Sequence, residues 1–242
     1  MAGECGVVLV HGKWGKPPYE HAPLAARLLA EGHRIREPSM PWSLARRYDL
    51  PFEQALEEID GSVRELRQAG CGRVIVCGHS LGAGAALGLA ARRRSMDALA
   101  LLAPGHFPEC LAAQALTSNS LSLARDAVAA ADERRLALLD CNQGLCRRLR
   151  VRPTSYLSYF EPQGPAQWPA NARAIAAPLP ILMLVGRRDP AYSLGIDYAF
   201  AHTPHHPRSE YIEIDADHAD TPALGADIVL AWIASLEPDT RP

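Results

Sequence analysis

Arg73-Val74-Ile75-Val76-Cys77-Gly78-His79-Ser80-Leu81-Gly82 is an apolar run that ends in a serine set between two glycines, and an alanine-rich stretch to Arg94 follows it. The run reads as a strand and the stretch as a helix. Gly-x-Ser-x-Gly at such a junction is the sequence form of a sharp turn that lifts a serine hydroxyl above a sheet. Side chains in place of Gly78 and Gly82 would collide with the strand or the helix, while Ser80 takes a strained backbone. The alternative for the same residues is a glycine-rich turn with an ordinary helix-capping serine.

Outward from this turn, apolar runs alternate with helical patterns, which points to parallel βα units. Cys5–Val10 reads as the first strand, 19–30 as a helix, and 33–37 as a short strand. Residues 51–68 carry Phe52, Ala55, Leu56, Ile59, Val63 and Leu66 at three-to-four spacing, the mark of an amphipathic helix. Further strands are expected over 96–103, 179–185 and 209–215, the last nearer an edge because it alternates. A closing helix is expected over 223–236. Residues 106–177 break the rhythm with helical stretches such as 124–139 and a Pro- and Gly-rich passage from Pro153 to Pro169. A structureless loop of that length is improbable in a compact domain, so this segment reads as a mostly helical lid between two sheet strands.

A chain of 242 residues suits one α/β domain. Its 48% hydrophobic and 21% charged content are those of a globular protein, and a net charge of −2 predicts no general attraction to nucleic acid or anionic membranes. No apolar stretch is long enough to span a bilayer, and the start, Met1-Ala2-Gly3-Glu4, has no signal-peptide pattern. The expected compartment is the cytoplasm. Of the six cysteines, Cys5 and Cys77 fall in buried strands, and Cys141 and Cys146 lack the partners of a zinc site. Reduced thiols are expected, with a local Cys141–Cys146 bridge as the alternative.

A serine needs a base within reach and a third group to orient that base. Leu182-Met183-Leu184-Val185 leads into Gly186-Arg187-Arg188-Asp189-Pro190, placing Asp189 at a strand's carboxyl end. Ile212-Glu213-Ile214 leads into Asp215-Ala216-Asp217-His218, placing His218 after the last strand. In an open parallel sheet those ends converge on one crevice. The amide of Leu81 and one from His11-Gly12-Lys13-Trp14-Gly15 are candidate donors to an oxyanion. Lys13 is the first choice and Trp14 the alternative.

These parts resemble the α/β-hydrolase fold superfamily. The matching residues are the His11-Gly12 loop, the Gly78 to Gly82 elbow, Asp189 and His218, in that family's order Ser…Asp…His. The resemblance covers essentially the whole chain, and 104–177 falls where the family carries its variable cap. It implies a three-layer fold with a mostly parallel sheet of about six strands, the family's first two strands having no counterpart. Lys13 and Trp14 stand where the large-ester type has further glycines.

Rival readings attach to several residues. His202, His205 and His206 compete with His218 as the base, and Asp215 and Asp217 with Asp189 as the acid. Trp14 and His79 are candidates for substrate contact, although His79 also suits packing beside the elbow and His11 suits fixing the oxyanion loop. Trp42, Tyr156, Tyr159, Phe160 and Trp168 suit either an acyl pocket or the packing of lid onto core. The basic run Arg147 to Arg152 suits a solvated face more than an anion site. Gly6 to Lys13 falls short of a phosphate loop, because five residues separate Gly6 from Gly12 and Trp14 replaces Ser or Thr. Gly82-Ala83-Gly84 suits close helix–sheet packing.

The expected function is hydrolysis of a small carboxylic ester or thioester by Ser80, His218 and Asp189, without metal or organic cofactor. Acyl transfer or lactone opening by the same residues is the alternative, and a non-catalytic ligand-binding relative is the alternative of another class.

Overall fold

The computed structural model describes residues 5–93 and 95–236. Its centre is a sheet of β1 (Cys5–Val10), β2 (Arg34–Arg36), β3 (Arg73–Ser80), β4 (Ala98–Pro104), β7 (Ile181–Gly186) and β8 (Glu210–Ile214). The order is β2-β1-β3-β4-β7-β8 and every neighbouring pair is parallel. A parallel pair needs a crossover, and helices supply it on both faces.

The alternation of side chains along the central strands divides the core in two. Val8, Val10, Val74, Val76, Leu99, Leu101, Ile181 and Met183 face α2 (Phe52–Gln68) and α3 (Leu81–Arg92). Val7, Leu9, Ile75, Cys77, Ala100, Leu102, Leu182 and Leu184 face α1 (Ala22–Ala30) and α9 (Ala226–Ser235). The expected closing helix is broken at Gly225, separating α8 (Thr221–Leu224) from α9. A Cβ at Gly225 would lie 2.1 Å from Leu184 Cδ2, so only glycine lets the chain pass so close to the sheet.

Between β4 and β7 the chain builds α4 (Pro108–Ala113), α5 (Ser118–Ala129), the hairpin β5 (Leu136–Asn142) and β6 (Leu145–Val151), then α6 (Pro153–Phe160) and α7 (Trp168–Ala174). The helix expected over 124–139 therefore ends ten residues early. Ala131 turns at φ 52°, and Asp132 Oδ1 accepts from the Arg134 amide, which closes a side-chain turn. Leucine and alanine gave residues 136–139 a helical look, but pairing with β6 decided otherwise, as strand preference depends on context. The large aromatics join this segment to the sheet. Trp42, Tyr48 and Phe52 pack edge-on against Tyr159, and Trp42, Tyr156, Tyr159, Phe160 and Trp168 are all buried. Gly84 lies against the Trp168 indole, so this small residue admits α7 rather than the sheet.

The thiols differ from expectation at one pair. Hairpin register sets Cys141 opposite Cys146, and the two form a disulfide. Such a bridge is rare in reducing compartments, which counts against the reduced-thiol part of the cytoplasmic reading. Cys77 and Cys110 are free thiols, and burial pushes Cys77 up to about 12. No helix among the described residues is long and apolar enough to cross a membrane.

Candidate active site

Ser80 ends β3 and caps α3 with φ 56° and ψ −121°, a conformation rare for a non-glycine residue. Neighbouring backbone enforces it. A Cβ at Gly78 would lie 2.3 Å from the Gly82 carbonyl oxygen, and one at Gly82 would lie 2.2 Å from that of Val10. Strand, turn and helix are thus in van der Waals contact, and the strain at Ser80, of order 1–3 kcal/mol, is held by the packed sheet. The serine is 4% exposed and lies in the wall of a cleft of about 600 Å³ at the carboxyl ends of the strands.

Asp189 and His218 meet there. Asp189 follows β7 in a tight turn, its amide donating to the Gly186 carbonyl. One carboxylate oxygen, Oδ1, accepts from the Ala191 amide at 2.9 Å, and the other lies 2.6 Å from His218 Nδ1. A carboxylate only accepts, so the imidazole proton sits on Nδ1 and the lone pair on Nε2. Nε2 is buried and has no hydrogen-bond partner among the described residues. It shares a corner with the serine: a Cβ at Gly105 would lie 2.6 Å from Ser80 Oγ and 3.1 Å from His218 Cε1. Gly105 is thus required because a side chain there would meet both Ser80 and His218, a role its place after Pro104 did not reveal.

The rival residues lie elsewhere. His202 and His205 are exposed in the segment before β8, with His202 beside Arg173. Asp215 is exposed and paired with Arg188, while Asp217 accepts from the Asp220 amide at the start of α8. His79 is buried outside the cleft lining, and its Nε2 donates to the His218 carbonyl at 3.0 Å. Burial holds its ring down to about 3. It therefore acts on the backbone of His218 instead of reaching a ligand.

The loop after β1 is fixed atom by atom. His11 Nε2 accepts from the Met40 amide, so Nδ1 carries the proton and donates to the Gly12 carbonyl at 2.7 Å. Burial keeps that ring neutral, its pKa lowered to about 4. The Gly12 oxygen also accepts from the Gly15 amide. In a trans peptide the N–H points opposite to the C=O, so these two bonds turn the Lys13 amide away from His11. Trp14 has φ 60°, and its amide donates to the Trp42 carbonyl at 3.0 Å, which leaves Lys13 as the loop's candidate donor. The second candidate, the Leu81 amide, opens α3, where first-turn N–H groups have no acceptor inside the helix. The Trp14 side chain is 8% exposed and also outside the cleft lining; Arg147 covers its ring at 3.9 Å and Asp140 takes its Nε1.

Of the basic run, Arg147 is held by Trp14, Arg148 donates to the Ala137 carbonyl and Arg150 to that of Arg135. The guanidiniums thus bind the protein's own hairpin. His106, at φ 58°, lines the cleft and donates from Nε2 to the Tyr159 carbonyl. No group of three or more residues suited to a metal occurs among the described residues.

The sequence profile of the alpha/beta hydrolase family matches residues 7–229, and the chain belongs to that family. Solved structures with the same fold include a monoacylglycerol lipase of Paleococcus ferrophilus, 20% identical over 95% of this chain and 94% of that one, with a TM-score of 0.65. A structure reported for the metagenome-derived lipolytic enzymes LipS and LipT is 16% identical over 97% and 95%, also at 0.65. The thioesterase domain from the curacin biosynthetic pathway is 16% identical over 94% and 91%, at 0.55. No curated protein sequence matches the chain.

Proposed function

We propose that the protein is a serine hydrolase that cleaves a small carboxylic ester or thioester through an acyl-enzyme. The observation that supports this reading is the Asp189–His218 pair at 2.6 Å, with an unpartnered Nε2, on an imidazole that borders the same residue, Gly105, as Ser80 Oγ does. Ser80 Oγ attacks the substrate carbonyl while His218 Nε2 takes its proton. The Asp189 carboxylate stabilises the imidazolium that results. The Lys13 and Leu81 amides receive the oxyanion, each worth about 3–4 kcal/mol in the transition state. His218 then protonates the leaving alcohol or thiol. Water, deprotonated by the same nitrogen, releases the acid and restores Ser80.

Phe107, Leu111, Leu116 and Leu194 make much of the cleft wall apolar, which suits an acyl chain, and the segment 104–177 forms the side opposite the sheet as a lid. The test is a fluorophosphonate probe with a short p-nitrophenyl ester. Wild type should be labelled and should turn over the ester, and Ser80→Ala should do neither. Equal labelling of both proteins, or a wild type with no turnover of esters, thioesters or lactones, would remove the reading.

A further inference from the structure

Among the described residues, Asp140 is the buried carboxylate with the most hydrogen-bond donors that the chemistry above leaves unused. It lies on β5, 1% exposed, 126 residues from the loop it binds. Its Oδ1 accepts from Lys13 Nζ at 2.7 Å, and its Oδ2 from Trp14 Nε1 at 2.6 Å and Tyr48 OH at 2.7 Å. Lys13 Nζ also donates to the Cys141 carbonyl, and Asn142 Nδ2 donates to the Lys13 carbonyl at 3.3 Å. The hairpin thus grips two consecutive side chains and one carbonyl of the loop that carries the candidate oxyanion donor.

A buried ion pair is seldom retained for stability alone, because desolvation offsets most of its attraction. Here it has a mechanical consequence. Trp14 sits in the left-handed region at φ 60°, a conformation that persists only where surroundings enforce it. Its amide is held by Trp42, its indole by Asp140 and its ring face by Arg147. Released from Asp140, Lys13 would leave a buried ammonium without its counter-charge, and Trp14 would lose one of the three holds on its left-handed conformation. Either change loosens the residues that follow the peptide presenting the Lys13 N–H.

We infer that Asp140 is a positioning residue for the oxyanion hole: through Lys13 and Trp14 it makes the aim of the Lys13 amide depend on the insertion's hairpin. The inference rests on the serine-hydrolase reading, so wild type is measured first for Ser80-dependent labelling and ester turnover. Asp140→Asn keeps the shape but turns one acceptor into a donor facing donors. It should lower kcat about 10–100-fold with KM changed less than about threefold, as expected for a misplaced transition-state contact. Affinity for an alkylboronic acid, whose Ser80 adduct is tetrahedral, should fall by the same factor as kcat. Trp14→Phe keeps the ring under Arg147 and removes only the Nε1 donor. Its kcat should fall about 3–10-fold, which decides the matter if Asp140→Asn does not fold.

Leu138→Ala, a buried change on the same strand that leaves these bonds in place, should lower Tm and leave kcat within about twofold. The proposal is overturned if Asp140→Asn turns over like wild type, if KM alone rises, or if Leu138→Ala loses as much kcat at equal loss of Tm. A wild type without Ser80-dependent turnover would instead remove the underlying reading, and this one with it.

Discussion

The two candidate oxyanion donors, the Leu81 and Lys13 amides, are held in opposite ways. On the Leu81 side everything is local: Gly78, Ser80 and Gly82 fix the turn through backbone contacts within five residues, closed by the Val10 carbonyl of the adjacent strand. On the Lys13 side the loop is shaped by His11, Trp42 and, from the far insertion, Asp140 and Asn142. One side is set by sterics that no rotamer relieves, the other by hydrogen bonds between distant side chains. The first is rigid by construction; the second is adjustable, and substitutions should break the two differently.

The largest effect is expected at Ser80, the proposed nucleophile. Ser80→Gly should lower kcat by about 10⁴-fold or more and yet raise Tm by about 2–4 °C, because glycine adopts φ 56° without strain. A lower Tm would mean that the elbow is not strained. Gly78→Ala should follow, since its Cβ would meet the Gly82 carbonyl at 2.3 Å and neither backbone can yield. A loss of about 3 kcal/mol or more is expected by chemical denaturation. An alanine variant of wild-type stability would show that the turn tolerates expansion. Asp140→Asn ranks next, with its loss confined to kcat.

Acid should separate the two sides further. His11 and His79 are neutral in the folded state, with pKa values near 4 and 3, and rise to the usual 6.5 on unfolding. Between those values the unfolded chain binds more protons, so stability is full above pH 6.5 and is lost as pH falls toward 4. Protonation at His11 Nε2 also breaks the bond from the Met40 amide. Thermal unfolding between pH 7.5 and pH 4.5 tests this: a flat Tm would mean that one or both rings are already charged.

The smallest effect concerns the hairpin tip. Cys146→Ser opens a short loop, worth about 2 kcal/mol in the chain-entropy account. Tm should drop by about 4–8 °C while kcat changes far less than in Asp140→Asn, because Asp140 lies inside the paired strands. If kcat fell as far as in Asp140→Asn, the bridge rather than the carboxylate would hold the loop.

The sheet was legible because its central strands are nearly continuous apolar runs, as burial on both faces of a parallel sheet demands, while the edge strands β2 and β8 are polar or alternating. The turn at Ser80 was legible for a related reason: Gly78 is needed by contact with Gly82 four residues on, so that requirement is written beside the effect, whereas Gly82 is needed by the Val10 carbonyl of the neighbouring strand. Asp189 and His218 could be placed at strand ends, but which histidine pairs with which aspartate depended on a 2.6 Å contact between them. The insertion was least legible. Leu136–Leu139 favours helix in isolation and became strand only by pairing with Leu145–Val151. Asp140 drew no notice in the sequence, because its three donors come from loops 92 residues or more away. Sequence by itself determined the parallel sheet, the family and the strained serine, since each follows from residues a few positions apart. Only the tertiary structure decided the hairpin, the disulfide, the capture of the Trp14 amide by the Trp42 carbonyl and the contacts of Asp140 with Lys13, Trp14 and Tyr48, because each depends on packing between segments whose meeting no local pattern encodes.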